Sequence, residues 1–584
     1  MKTQPGSMLR FTRQFVSELW PWYLSGALFL IVTNIITLEI PQFAKEIVNA
    51  LEKRTEVLPS ASLAQLALGI ALLGFAQIIV RSASRILIFW PGRRLEASSK
   101  SYLFGRALRL RQVFFDKFGM GDLISRLSND LGQLRVFYAF AVLQVLNLCF
   151  IAIFTLYKMF SVHAALTASA LVPILFMLVT ARFIMPQLQR FTKANQEALG
   201  ALTNRVTESF TNIHIIQSNA AESSFQKLIE AENEKVYLTD TRVLVLRTLF
   251  FPLMTCLTGL AQLIVLFYGG QLVMRQELSV GDILAFNVYL SYLAFPLTSI
   301  GIVLAIYQRS KSALERLDPL FEEPVEKEEA PAPPPAAALR EAPLLRFQNL
   351  SYRYPSQGPT EKALEGLSFE LKAGEMLGLC GPIGSGKSTI LHLLTRIYDP
   401  PSGSIFLGGV DILQLEPAVL RQRLAYAQQR VHLFSASIRE NLGLGLTPKP
   451  DQATLERAAA AAQLLREIEA FPLGWETEIG EKGLRLSGGQ KQRLALARVF
   501  LRSPELLLLD DVLSAVDNLT EARLLQELRQ RRVSMLISSH RSSVLKLCDR
   551  VLYLEDGVLR DEGSFNELIQ RHPHLCEDIH DDSE

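Results

Sequence analysis

Six apolar stretches, at residues 23–38, 63–80, 137–160, 166–185, 249–268 and 283–307, confine the first half of this chain to one kind of structure. Each is close to the ~20 residues that an α-helix needs to cross ~30 Å of hydrocarbon. Hydrocarbon offers no partner to a free backbone N–H or C=O, so such stretches cross it as helices. Hydrophobic residues make up 49% of the chain and charged residues still make up 20%. That combination arises when a membrane part is joined to a soluble part.

The stretch at 23–38 is longer than a signal-peptide core and lacks a small-residue cleavage site, so it reads as an uncleaved first span. Pro41 would end or kink it near the opposite interface. The long connection between Arg81 and Arg135 is strongly basic, with Arg85, Arg93, Arg94, Lys100 and Arg106 in its first half, and the connection at 190–247 is basic too. The turns at 161–163 and 271–280 are short and carry little charge. Positive charge marks the cytoplasmic side, which puts both long loops and both termini there. If the source is bacterial, this is the inner membrane. Residues 95–110 and 201–236 keep helical periodicity, interrupted at Gly119-Met120-Gly121-Asp122 and Asn212-Ile213-His214-Ile215. Each loop is therefore expected to be a helical hairpin whose tip can touch machinery below the membrane. Within or at the ends of the spans lie Asn34, Glu39, Gln77, Gln144, Asn147, Gln262 and Asn287. Such groups either line a substrate path or bond one helix to another.

Residues 321–343, rich in Glu, Pro and Ala, read as a semi-extended linker. Beyond it, residues 345–347 and 367–371 read as strands, as does the apolar run 376–380. That run leads into Gly381-Pro382-Ile383-Gly384-Ser385-Gly386-Lys387-Ser388-Thr389, which fits G-x-x-x-x-G-K-[ST]. Glycines let successive N–H groups turn toward one anion, and a helix starting near Lys387 adds its positive end. Lys387 would reach the β- and γ-phosphates of ATP, and Ser388 would ligate Mg²⁺. The run at 506–509 reads as a strand buried on both faces that delivers Asp510 and Asp511 at its carboxyl end. Asp510 suits a Mg²⁺ ligand. Leu486-Ser487-Gly488-Gly489-Gln490 precedes a helix expected at 494–501, a second anion site. One ATP cannot sit on both unless the chain folds back closely or a second copy supplies one of them. The five cysteines show no C-x-x-C spacing, and a net charge of +2 gives no reason to expect nucleic acid as a partner.

Taken in order, these motifs resemble the ATP-binding cassette family, in particular its half-size exporters, over nearly the whole chain. The resemblance implies that Tyr354 stacks on adenine, that Gln429 is the Q-loop glutamine near Mg²⁺, and that Leu486–Gln490 is the signature motif. It also implies that residues 477–483 form the exporter X-loop, that Ser514-Ala515-Val516-Asp517 form the D-loop, and that His540 is the switch histidine. Phe114-Phe115-Asp116 and residues 121–126 resemble the first cytoplasmic loop of these exporters, and Val280-Gly281-Asp282 the start of their last span. The fold it implies is a bundle of six transmembrane helices at 17–320 fused to an α/β P-loop domain at 344–575. A cytoplasmic N-terminus at 1–16 and an acidic tail at 576–584 flank the two. In the family two halves pair, and each ATP lies between the phosphate loop of one and the signature motif of the other, which accounts for two anion sites in one chain.

One position departs from the pattern. Active members usually carry glutamate directly after the Walker B aspartate, where this chain has Asp511. The carboxylate is withdrawn by about 1 Å or more, and a ~1 Å misplacement can cost ~100-fold in rate. Cassettes of this kind resemble the slow-site subunit of heterodimeric exporters, although His540 is retained. The expected activity is ATP-driven export of a hydrophobic or amphipathic drug, lipid or peptide across the bilayer by a heterodimer. A homodimeric lipid flippase and an ATP-gated channel are the alternatives.

Overall fold

The computed structural model describes residues 10–52, 60–326, 344–355, 362–480 and 486–573. The first nine residues, most of the expected linker, residues 481–483 of the X-loop and the acidic tail lie outside them. The chain divides into two compact units, one of Met1–Ala107 and Gly121–Glu322, the other of Leu108–Met120 and Glu323–Glu584.

The first unit is built from helices α1 (Trp20–Glu52), α2 (Ser60–Ala107), α3 (Val142–Val162), α4 (Ala164–Thr211), α5 (Glu222–Met274), α6 (Val280–Thr298) and α7 (Ile300–Glu322). At 1.5 Å per residue the 48 residues of α2 or α4 reach about 70 Å, more than twice the hydrocarbon thickness. Spans are thus prolonged well beyond the membrane, as the periodicity of the loops predicts. Five stretches among the described residues are long and apolar enough to cross, and the apolar part of α6, Val280–Leu293, is shorter. The sixth span expected at 283–307 is divided at Ser299, where α6 gives way to α7. The second hairpin breaks at Asn212, as expected, and again before Glu222.

Side chains tie the start of α6 to α1. The Lys45 ammonium pairs with Asp282 at 2.6 Å, and Asn49 accepts from the Gly281 N–H at 3.0 Å. A Cβ on Gly281 would stand 2.5 Å from the Lys45 carbonyl oxygen, so only glycine allows this approach. Farther along, the buried Tyr289 hydroxyl donates to the Leu38 carbonyl and accepts from Gln42.

The second unit holds two sheets. Strands β1 (Leu345–Tyr352), β2 (Leu364–Leu371), β4 (Ile405–Leu407) and β5 (Val410–Asp411) form an antiparallel sheet in the order β2-β1-β4-β5. Strands β3 (Met376–Cys380), β6 (Leu424–Ala427), β7 (Leu506–Asp510), β8 (Ser534–Ser538), β9 (Arg550–Glu555) and β10 (Val558–Gly563) form the other, ordered β10-β9-β3-β8-β7-β6. Its pairs are parallel except at the β9–β10 edge. Every residue of β3, β7 and β8 is buried, as expected of strands covered on both faces. Burial also pushes the Cys380 thiol up to about 12, which makes it a packing residue rather than a reactive one.

Candidate nucleotide site and membrane cavity

The carboxyl ends of four neighbouring parallel strands deliver the residues singled out from the sequence. The phosphate loop follows β3, His540 follows β8, Asp510 ends β7, and Gln429 follows β6 by two residues. A parallel sheet gathers sites at this edge because each crossover leaves its loops there.

The loop depends on its glycines. Gly381, Gly384 and Gly386 have φ of 143°, 89° and 99°. A Cβ on Gly381 would lie 2.0 Å from the Leu554 carbonyl oxygen, and one on Gly386 would lie 2.6 Å from Leu364. Gly381→Ala is expected to destabilise the cassette by about 2–3 kcal/mol, seen as a Tm lowered by roughly 5 °C or more in calorimetry. The helix α8 (Lys387–Leu394) starts where expected. The Lys387 ammonium donates to the Gly381 and Pro382 carbonyls at 2.6 and 2.8 Å. Ser385 and Thr389 are buried, Ser388 is half-buried, and Ile383 is 95% exposed at the loop's apex. Tyr354 donates its hydroxyl to Thr389 at 3.0 Å, which sets the ring beside the loop.

Asp510 is 3% exposed and accepts from the Tyr426 hydroxyl at 3.4 Å. Burial lowers the affinity of His392 for its proton, and the neighbouring Asp510 opposes that effect. Asp511 has a left-handed backbone, φ 47°, and its N–H donates to the Ser538 carbonyl at 2.9 Å. Burial raises its pKa above the usual carboxylate range, and Asp510 adds to this. His540, a hydrogen bond from Gln429, and Arg541 act the other way. Two expected residues, Gln429 and His540, thus both act on a third, Asp511. The donor set of Ser388, Gln429 and Asp510 consists of hard oxygens of the kind Mg²⁺ takes beside substrate phosphates. Among the described residues no cluster of three His, Cys, Asp or Glu offers a protein-only cage.

The signature motif departs from expectation in one respect. Its helix α9 (Gly488–Phe500) starts at Gly488 rather than at 494, with Ser487 as N-cap. The Ser487 hydroxyl accepts from the Gln490 N–H, and the Gln490 side chain accepts from the Ser487 N–H. The motif is itself the helix start, where free N–H groups collect. A Cβ on Gly489 would meet the Ala515 carbonyl at 2.6 Å, so the motif packs on the D-loop, whose Asp517 caps the helix α10 (Asn518–Gln530). No hydrogen bond or ion pair joins signature motif and phosphate loop among the described residues.

Three further residues were not found from the sequence. Glu521, 3% exposed, pairs with Arg541 and accepts from Ser543, which braces the segment carrying His540. Tyr398 donates to Asp116 at 2.8 Å and meets the Tyr354 ring edge-on at 4.9 Å. Arg111 pairs with Asp399 beside it, so the tip at Gln112–Lys117 packs within the second unit against the phosphate-loop side.

In the first unit a cavity of about 510 Å³ is lined by Asn34, Gln77, Gln144 and Asn147, four of the seven polar residues picked out in the spans. The others are occupied elsewhere: Glu39 pairs with Lys158, Asn287 donates to Ile283, and Gln262 faces Ser291. The cavity also holds Arg81 and Arg85, which by hydropathy belong to the first long cytoplasmic connection.

Comparison with known proteins places this architecture. Residues 23–297 match the family described as ABC transporter transmembrane region, and residues 364–514 match ABC transporter. The chain is 32% identical over 568 residues to the probable multidrug resistance ABC transporter ATP-binding/permease protein YheI of Bacillus subtilis (strain 168), covering 96% of this chain and 95% of that one. It is 29% identical to the multidrug resistance-like ATP-binding protein MdlA of Escherichia coli (strain K12), over 94% and 92%. It is 28% identical to an ATP-dependent lipid A-core flippase of Salmonella paratyphi A, over 84% and 83%. In fold it is similar to a bacterial Atm1-family ABC exporter with ATP bound, with a TM-score of 0.80, 24% identity, and 96% and 99% covered.

Proposed function

This chain belongs to the ABC transporter family as an exporter-type fusion of transmembrane and ATP-binding regions, and from that premise we propose that it is one half of a dimer that exports amphipathic compounds at the expense of ATP. The observation that carries the proposal is the convergence of the phosphate loop, Asp510, Asp511, Gln429 and His540 at one sheet edge of a chain that also crosses the membrane several times.

In this reading the N–H groups of Gly381–Thr389 and the Lys387 ammonium hold the phosphates, and Tyr354 holds the adenine. Ser388, Gln429 and Asp510 would hold Mg²⁺, which would supply positive charge to the nucleotide phosphates. Asp511 takes the proton from the attacking water, and His540, braced through Arg541 and Glu521, senses the γ-phosphate. Ser487–Gln490 complete the site of the partner. Closure of the cassettes over two nucleotides turns the cavity outward, because ATP has greater affinity for the closed state. The partner is a second half-transporter, with a heterodimer favoured by the short reach of Asp511. The hydrogen bond of Asp511 with Gln429 and its electrostatic interaction with His540 support a slow but competent homodimer as the second reading. Inside-out vesicles containing the chain, with and without a candidate partner, test the proposal: accumulation of a fluorescent amphiphile that requires ATP supports it, and ionic current across a bilayer with no ATP-driven accumulation argues for an ATP-gated channel.

The raised pKa of Asp511 gives a signed expectation. An acid whose folded pKa lies above its unfolded value favours folding while protonated and loses that contribution as pH rises through the folded pKa. Asp511→Asn is therefore expected to raise Tm at pH 7, with the gain shrinking as the pH falls into the carboxyl range, while turnover at this site is lost.

A further inference from the structure

Arg81 and Arg85 lie inside the apolar belt of the membrane unit. The rings of Trp22 and Trp90 meet at 4.5 Å, and tryptophan pairs of this kind mark the headgroup level. Along α2, Arg85 is five residues and Arg81 nine residues deeper than Trp90, which at 1.5 Å per residue is about 7–8 Å and about 13–14 Å. Ile78, Ile79, Ile86 and Phe89 are exposed on the same stretch, so the surroundings are apolar on both sides of the arginines. Charge at this depth faces an interior or a wet cavity and commonly marks a substrate path.

Both arginines line the 510 Å³ cavity, and no carboxylate lines it with them. Neither has an ion-pair partner among the described residues. A second, independent observation comes from Asn34 on α1. It is 4% exposed, it lines the same cavity, and its Nδ2 has no hydrogen-bond partner. Buried donors of this kind are normally satisfied, so an orphan needs an acceptor. The site is rich in donors and short of negative charge, while Leu30, Phe140 and Ile151 give it an apolar wall.

We propose that this cavity takes the oxyanion headgroup of an amphiphile, a phosphate, sulfonate or carboxylate, with Arg81 and Arg85 as its ligands and Asn34 donating to it. The exported compound is then an amphipathic anion. This deepens the exporter reading above and rests on it. Guanidinium suits the role because its planar donors match oxyanions in pairs. A cationic drug would meet two positive charges in the same space, and a neutral one would leave them without a counter-charge.

The test uses the full chain in phosphatidylcholine nanodiscs and three dansylated dodecyl probes: a phosphate, an alcohol and a trimethylammonium. The phosphate is expected to bind more than about tenfold tighter than the alcohol, with the ammonium weakest. In Arg81→Gln/Arg85→Gln the phosphate and the alcohol should converge, while binding of a fluorescent ATP analogue, which reports the folded cassette, is retained. Arg81→Lys/Arg85→Lys should keep part of the preference. Equal binding of the three probes to the wild type, or an undiminished phosphate preference in the Gln variant, overturns the proposal. Adding phosphatidylglycerol to the discs separates two sources of the headgroup: competition identifies a membrane lipid, and unchanged affinity identifies a compound taken up from solution. ATP-driven accumulation without charge preference would overturn this inference alone. Probe binding without any ATP-driven transport, with or without a partner, would overturn the exporter reading instead.

Discussion

Lys387→Met is expected to lower the affinity of this cassette for ATP by about 100-fold, equivalent to about 2.7 kcal/mol. Lys387 is only 7% exposed and its ammonium rests on loop carbonyls beside the cradle formed by Gly381, Gly384 and Gly386. A phosphate drawn into that cradle gains a fixed positive charge in a partly dry setting, where a charge-assisted hydrogen bond is worth most. Methionine keeps the length and packing of the side chain and removes only the charge. Titration calorimetry with ATP reads the loss directly. Lys387→Arg is expected to rescue poorly, because a bulky planar guanidinium cannot repeat the point contacts that the ammonium makes with the Pro382 carbonyl and Ser385. An unchanged Tm would assign the effect to binding rather than to folding.

The second large effect is expected at Asp511. Asp511→Glu should raise the ATP turnover of the purified chain by roughly tenfold to 100-fold, since one methylene restores about 1 Å of reach toward the water that a base must contact within ~3 Å. The gain has a structural cost. The backbone at 511 is left-handed, a conformation that Asp tolerates better than Glu, so the faster variant should also melt a few degrees earlier. Steady-state hydrolysis and a melting curve on the same preparation measure both. Turnover that stays flat would place the limitation elsewhere, for instance in the contact of Asp511 with Gln429.

Much of the cassette could be read from the chain because its motifs are local. The phosphate loop, the buried strand before it and the helix after it occupy consecutive residues, and β7 delivers Asp510 at the predicted end. The limit of the signature helix was misplaced by six residues, since glycines usually end helices and here Gly488 and Gly489 open one under the cap of Ser487. Contacts between distant segments were not legible. The grip of Glu521 on Arg541 and the hydrogen bond from Tyr398 to Asp116 depend on packing that no spacing rule encodes. In the membrane half, hydropathy marked the spans but stopped α2 at Arg81, because a charge lowers any window average whether it faces water, lipid or a cavity. The same averaging joined 283–307 into one span where the chain breaks at Ser299.

The most direct test of this chain as an ATP-driven exporter half is made in inside-out vesicles, by following uptake of the dansylated dodecyl phosphate on addition of Mg-ATP. Uptake against the gradient that is abolished by Lys387→Met, and strengthened by a partner half, is the predicted result. Uptake that proceeds equally without ATP, or that survives Lys387→Met undiminished in vesicles holding this chain alone, would contradict it.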